Sequence, residues 1–221
     1  MTYVYVVPKW FFGTSIALEV LFALATFFVA FYSFRVARIY RDKAINLMTV
    51  GFVFVALSYL SKAAVNVFLL REITTGYLAL SLSNLNSVAS AGFYLYISFY
   101  LIGLILLTYM TFKSSNADLF LLITVLSFIG IWVSPDKVFA FSIISAVMLC
   151  IITLHFARSY ERNKNGRTLL IFLGFLGLLL VGIGFTFAEG YYVNYVVGHL
   201  LELASYGLIL ASIFSLTKKR K

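Results

Sequence analysis

Long apolar runs separated by short polar segments dominate this sequence. Seven runs can be traced, and they cover residues 10–34, 44–70, 77–112, 119–133, 138–156, 168–188 and 195–216. A helix needs about 20 apolar residues to cross the hydrocarbon core of a bilayer. Most of the runs reach that length, and the fourth is the shortest. The pattern predicts an all-α, polytopic membrane bundle of about seven transmembrane helices.

Composition supports this prediction and narrows the class of protein. Hydrophobic residues make up 62% of the 221 residues and charged residues only 11%, against about 25% in an average soluble domain. A disordered chain is therefore excluded, and an ordinary soluble enzyme is disfavoured. Cys150 is the single cysteine, so an intrachain disulfide and a zinc site built from several cysteines are excluded as well.

The basic residues predict how the bundle is oriented. If the N-terminus lies outside and the C-terminus inside, 13 of the 17 Lys and Arg residues fall on the inner side, three on the outer side, and Lys62 within a span. Short loops rich in Lys and Arg stay on the cytoplasmic side of a cell membrane. Topology and lipid headgroups thus explain the net charge of +9. The expected partners are the lipid bilayer and an unidentified membrane or cytoplasmic protein, not nucleic acid.

Short internal matches predict a duplicated three-helix unit. The matched segments are 37–40 with 157–160, 51–52 with 174–175, Gly92 with Gly198, and Tyr100 with Tyr206. A parallel copy needs one linking span to bring the chain back across the membrane, and the short fourth run fits that role. The predicted parts of this 3+1+3 repeat are a first half at 1–113, a linking span at 114–137, and a second half with a basic tail at 138–221.

The 3+1+3 layout resembles the sugar and PQ-loop carriers in topology. Those families carry a Pro-Gln dipeptide in their repeats, and this chain contains no glutamine. Rhodopsins and G-protein-coupled receptors also have seven spans and an outer N-terminus. However, the seventh run here has no lysine for a retinal Schiff base, and the receptor motifs Asp-Arg-Tyr and Asn-Pro-x-x-Tyr are missing from the expected positions. The sequence therefore assigns no family and predicts no cofactor.

Three ionisable residues are predicted to lie within the spans. The rise of an α-helix places Glu19, Lys62 and Glu202 about 10–13 Å below the outer boundary. An unpaired charge in hydrocarbon is costly, so Lys62 should pair with Glu19 or Glu202 inside the bundle. The spacing of polar residues also predicts two helical stripes, His199–Glu202–Tyr206 and Ser58–Lys62–Asn66.

These residues form the candidate site, which comprises Glu19, Lys62, Asn66, His199, Glu202 and Tyr206. Two interpretations remain open at this point. The residues could form an ion pair that stabilises helix packing, or they could line an outward-facing polar pocket that binds a ligand or cation. The spacing His199-x-x-Glu202, together with Glu19, is a weak arrangement for a divalent metal, so no metal site is predicted.

The sequence also lacks the motifs of membrane-embedded enzymes. No aspartate lies within a span, and neither His-Glu-x-x-His nor Gly-x-Ser-x-Gly occurs. A Ser-Lys nucleophile built from Lys62 and a neighbouring serine is disfavoured, because sequence neighbours on a helix rarely face each other. No catalytic residue is predicted. The prediction is a non-enzymatic, sensor- or receptor-like or accessory membrane module, and the alternative is a small-solute or ion transporter.

Overall fold

A computed structural model describes residues 12–75, 82–112, 117–187 and 192–218, and all regular secondary structure in these ranges is helical. The seven helices are α1 (Phe12–Tyr40), α2 (Lys43–Thr75), α3 (Leu82–Thr111), α4 (Ala117–Val133), α5 (Lys137–Asn163), α6 (Gly166–Phe187) and α7 (Tyr192–Lys218). Six of them are long and apolar enough to cross a membrane, while α4 has 17 residues. The prediction of an all-α, polytopic bundle is confirmed.

The helices extend beyond the apolar runs that predicted them. Helix α1 ends at Tyr40, beyond the end of its run at Phe34, and α5 ends at Asn163, beyond the end of its run at Phe156. A helix can continue when its side chains change from apolar to basic, because its backbone hydrogen bonds are internal and cations are favourable at its C-terminus. The segments predicted as basic loops are therefore mostly helix ends joined by two-residue turns.

These two turns, at the ends of α1 and α5, are built alike. Arg41 and Lys164 both have positive φ angles, 49° and 43°, and each backbone N–H donates to the carbonyl four residues earlier, at 2.8 and 2.7 Å. The next residues, Asp42 and Asn165, each accept a hydrogen bond on their side chain from the backbone amide two residues later. The alignment that places Gly51 opposite Gly174 also places Arg41 opposite Lys164.

The helices form a closed ring of six, with α4 outside it. Neighbours follow in the order α1, α2, α3, α5, α6, α7 and back to α1, and α4 packs on α3 and α5. Exchanging α1–α3 with α5–α7 leaves this order unchanged. The matched residues Phe52 and Phe175 also meet each other across the ring, with their centroids 6.3 Å apart. These likenesses support the 3+1+3 repeat, which stays a prediction, and its boundary at 113 lies outside the described residues.

The orientation of the bundle also stays a prediction, and cysteine labelling tests it. In a Cys150→Ser background, Asp136→Cys and Asn165→Cys place thiols at the two ends of α5. A membrane-impermeant maleimide added to intact cells is expected to label position 136 and not position 165, since the basic turns should face the cytoplasm. Labelling of position 165 alone would show that the orientation is inverted.

Candidate functional site

One polar cluster joins α1, α2 and α3. The Lys62 ammonium lies 3.1 Å from a carboxylate oxygen of Glu19, and the Asn66 side-chain amide donates to both Glu19 oxygens at 2.9 Å. The ammonium also lies 5.3 Å from the centroid of the Tyr96 ring, within the range of a cation–π interaction. The Glu19 side chain is 1% exposed and the Lys62 side chain 30%. Lysine is thus the accessible member of a cluster whose carboxylate is buried.

Helix α2 directs this cluster into the ring. Lys62 contacts Glu19 on α1 and Tyr96 on α3, and these two helices do not contact each other. A side chain that reaches both must point from α2 toward the ring interior. Tyr59, Lys62 and Asn66 lie at i, i+3 and i+7 and so share this face of the helix.

A second polar cluster joins α7 to α2. The Tyr59 hydroxyl donates to one carboxylate oxygen of Glu202, and the other oxygen lies 3.1 Å from Nδ1 of His199. The Tyr59 and Tyr206 hydroxyls are 2.9 Å apart. All four side chains are buried. This arrangement provides the hydrogen-bond partners that a carboxylate requires when it is removed from water.

Phe22 packs against the aromatic side chains of the second cluster. Its ring centroid lies 5.3 Å from that of Tyr59, 5.8 Å from that of His199 and 6.1 Å from that of Tyr206. Glu19 lies about one turn before Phe22 on α1, and Lys62 about one turn after Tyr59 on the antiparallel α2. The Glu19 cluster is therefore one helical turn closer to the end of the bundle that is predicted to face outward.

Aromatic rings from α3 and α5 complete this level of the interior. Tyr100 lies 6.1 Å from Tyr59 and 5.7 Å from Phe141, measured between ring centroids. Tyr96 lies 5.9 Å from Phe141. Tyr96 thus connects Lys62 to Phe141 on α5, and Tyr100 connects Tyr59 to the same ring. Tyr59, Tyr96 and Tyr100 are not among the predicted site residues, although Tyr59 shares a helical face with Lys62 and Tyr100 is matched with Tyr206 in the predicted repeat.

Apolar side chains close the ring beneath the clusters, toward the basic turns. Phe156 and Phe175 stack with their centroids 5.3 Å apart and their planes 4° apart, and Phe52 packs against Phe175. Within the described residues, the buried carboxylates are Glu19 and Glu202, and both lie on the other side of this plug. Among the described residues, several hydroxyl side chains are buried in the half of the bundle nearer the basic turns, and they include Ser33, Thr49, Thr108, Thr153 and Ser212.

The six candidate residues all lie in the ring interior, but in two clusters instead of one pocket. Lys62 pairs with Glu19, while Glu202 bonds to Tyr59 and His199. Ser58, the first member of the predicted stripe, is fully buried, and its hydroxyl donates to the carbonyl of Val55 on its own helix at 2.7 Å. Tyr59, which the stripe did not include, supplies the hydroxyl that bonds to Glu202.

The arrangement offers little to a metal ion. In the ranges that the structure covers, no three His, Cys, Asp or Glu side chains come together as a metal site would require. Glu19 and the pair of His199 and Glu202 belong to different clusters, and the Glu19 oxygens already accept hydrogen bonds from Asn66.

No protein-family model, curated protein sequence or solved structure matches this chain.

Proposed function

We propose that the protein is a non-enzymatic, sensor- or receptor-like module of the cell membrane that receives a small polar ligand or cation from the outer side. One observation carries this proposal. Both ionisable clusters lie on the same side of the aromatic plug of Phe52, Phe156 and Phe175. Such an interior can admit a polar solute from the side on which the two buried carboxylates of the described residues lie, and the plug would have to open before the solute could pass further.

The two clusters provide a route from a bound ligand to helix movement. Lys62 is the accessible member of the first cluster, and it lies one turn from Tyr59 of the second. A ligand that competes for Glu19 or Lys62 would change the contact between α1 and α2. Because α2 also carries Tyr59, the bond between Tyr59 and Glu202 on α7 would respond. An accessory role, in which a partner protein uses the same movement, is a variant of this proposal.

The site residues argue against catalysis. The side chains brought together are carboxyl, amide, imidazole, phenol and ammonium groups. The two nearby serines of α2, Ser58 and Ser61, each donate to a carbonyl of their own helix. A nucleophile within hydrogen-bond reach of a base is the arrangement that covalent catalysis requires. In these clusters, each carboxylate is instead paired with a cation or with hydrogen-bond donors.

A transporter of small solutes or ions is the second candidate, and the ring itself favours it. The two three-helix groups meet at the α1–α7 and α3–α5 contacts, where one group could rock against the other as in carriers built from repeats. A carrier would have to open the aromatic plug in every cycle. A receptor can keep it closed.

Flux through the plug distinguishes these functions. We expect proteoliposomes to take up protons, sodium, potassium and methylammonium no faster than protein-free vesicles, because the plug contains no ionisable group. Pyranine fluorescence reports the protons, and radiolabels report the three cations. Glu202→Gln, which retains the volume of the side chain, is the matched control. Flux that is present in the wild type and lost in Glu202→Gln would identify a carrier and contradict the receptor proposal.

A further inference from the structure

An open groove of about 380 Å³ lies between α1 and α7 on the surface of the ring that faces lipid. Its lining consists of Phe28, Tyr32, Gly207, Leu210, Ala211 and Phe214. Phe28 and Phe214 are 46% and 47% exposed, so the groove opens outward from the bundle. None of the candidate site residues lines it.

Small residues on α7 create this groove between aromatic walls. A Cβ atom added at Gly207 would meet nothing within 4 Å, and Ala211 lies one turn further along the same face. Tyr32 and Phe214 close one end by an edge-to-face contact, with their ring centroids 5.3 Å apart. The groove runs along the α1–α7 contact, which is one of the two junctions between the three-helix groups.

A basic residue of α1, Arg35, lies about one turn beyond the groove-lining Tyr32, toward the basic turns. Phe28, Tyr32 and Arg35 are spaced i, i+4 and i+7, so Arg35 continues the α1 wall of the groove. The exposed Arg35 guanidinium lies 5.3 Å from the centroid of the Phe31 ring, which holds the charge beside the helix. Helix α7 ends at Lys218 on the same side of the bundle.

We infer that this groove binds an anionic phospholipid from the leaflet that borders the basic turns. One acyl chain lies in the apolar groove, and the phosphate lies at Arg35. A molecule that occupies this groove must reach it laterally from the bilayer, and the molecules that surround the protein there are lipids. A basic residue near the membrane surface favours an anionic lipid by about fivefold, so Arg35 selects the headgroup while the groove retains the chain.

Charge argues against a second copy of the protein as the occupant. Two parallel copies packed symmetrically through the α1–α7 face would bring their Arg35 side chains toward each other, since a twofold contact pairs the same surface on both subunits. Like charges in a low-dielectric environment are unfavourable. An anionic headgroup neutralises Arg35, and its chain fills the space that Gly207 and Ala211 leave open.

Lipid binding to purified protein in nanodiscs tests this inference. The nanodiscs contain phosphatidylcholine with graded phosphatidylglycerol, and native mass spectrometry counts the retained lipids of each kind. We expect the wild type to retain phosphatidylglycerol preferentially. Arg35→Gln should lower this preference by about fivefold while the groove stays occupied. Gly207→Leu should lose both lipids, because its side chain fills the groove.

Matched variants control for general effects on the bundle. Arg158→Gln removes an exposed arginine on the same side of the bundle, and Gly184→Leu adds a side chain at another exposed glycine whose Cβ would meet nothing within 4 Å. Both should retain lipid as the wild type does. Should Gly207→Leu fail to fold, the selectivity of Arg35→Gln still tests the inference.

Three outcomes would overturn the lipid site. Equal loss of selectivity in Arg158→Gln and Arg35→Gln would show that only overall charge matters. A gain in melting temperature with soluble glycerol phosphate equal to that with phosphatidylglycerol would indicate an anion site without a lipid chain. A dimer mass that Gly207→Leu abolishes would identify the groove as an interface between copies. These readouts do not depend on the receptor proposal, because the groove contains none of its residues.

Discussion

Lys62→Met is expected to destabilise the protein by about 3–5 kcal/mol, the usual cost of leaving a buried charge without its partner. The substitution keeps a long unbranched side chain but leaves the Glu19 carboxylate, whose side chain is 1% exposed, without its cation. Asn66 would still donate to both oxygens, yet an amide does not neutralise the charge. The free energy of unfolding in mixed micelles, measured from denaturant titrations, checks this value.

The double variant identifies the partner. Adding Glu19→Gln to Lys62→Met removes the uncompensated charge, and most of the lost stability should return. Adding Glu202→Gln instead should restore none of it, because Glu202 bonds to Tyr59 and His199 and not to Lys62. Rescue by Glu202→Gln but not by Glu19→Gln would mean that the ion pair is formed between α2 and α7.

Depth along the spans was enough to predict that Lys62 has a carboxylate partner, but not which one. Glu19 and Glu202 lie at nearly the same estimated depth, so helical rise cannot separate them. The choice follows from packing, since α1 adjoins α2 in the ring and Glu202 already has its own hydrogen-bond partners. Helix order is a property of the whole bundle that no single span encodes.

The aromatic part of the site could not be predicted, for a reason specific to membrane helices. In water, the polar face of a helix shows which side is buried, but lipid-facing and core-facing positions are both apolar. Thus Phe22 is fully buried while Phe27 is 55% exposed on the same helix. The chain has 23 phenylalanines and 15 tyrosines, so composition does not mark the few that contact Glu202. Only the polar residues at i+3 and i+7 from Tyr59 indicate that it faces inward.

The exact helix boundaries could not be predicted from hydropathy either. Hydropathy predicted seven helices, and the structure contains all of them, six of which are long and apolar enough to cross a membrane. Hydropathy placed the ends of α1 and α5 too early. The hydropathy of the side chains indicates only which part of a helix lies in the apolar layer, whereas the backbone hydrogen bonds continue beyond that layer. Arg41 and Lys164 end these helices with positive φ angles. Gly or Asn usually occupies such a position, so the sequence did not mark these two helix ends.

Tyr59→Phe is expected to lower the free energy of unfolding by about 2–3 kcal/mol, the upper range for a hydrogen bond to a charged group. The substitution removes one oxygen atom and preserves the ring that packs on Phe22 and Tyr100. The buried Glu202 would then retain His199 as its one described partner. The same denaturant titrations in micelles provide the measurement.

Tyr206→Phe is the matched control for this loss. Tyr206 is as fully buried as Tyr59, but its hydroxyl lies 2.9 Å from the Tyr59 hydroxyl and is not bonded to the carboxylate. Its removal should lower stability by only about 1 kcal/mol, as for a hydrogen bond between neutral groups. In the double variant, Tyr206→Phe should add little, since the Tyr59 hydroxyl is already gone. If Tyr206→Phe alone destabilises the protein as much as Tyr59→Phe, the carboxylate of Glu202 is not held by Tyr59, and the proposed coupling from Lys62 through Tyr59 to α7 fails.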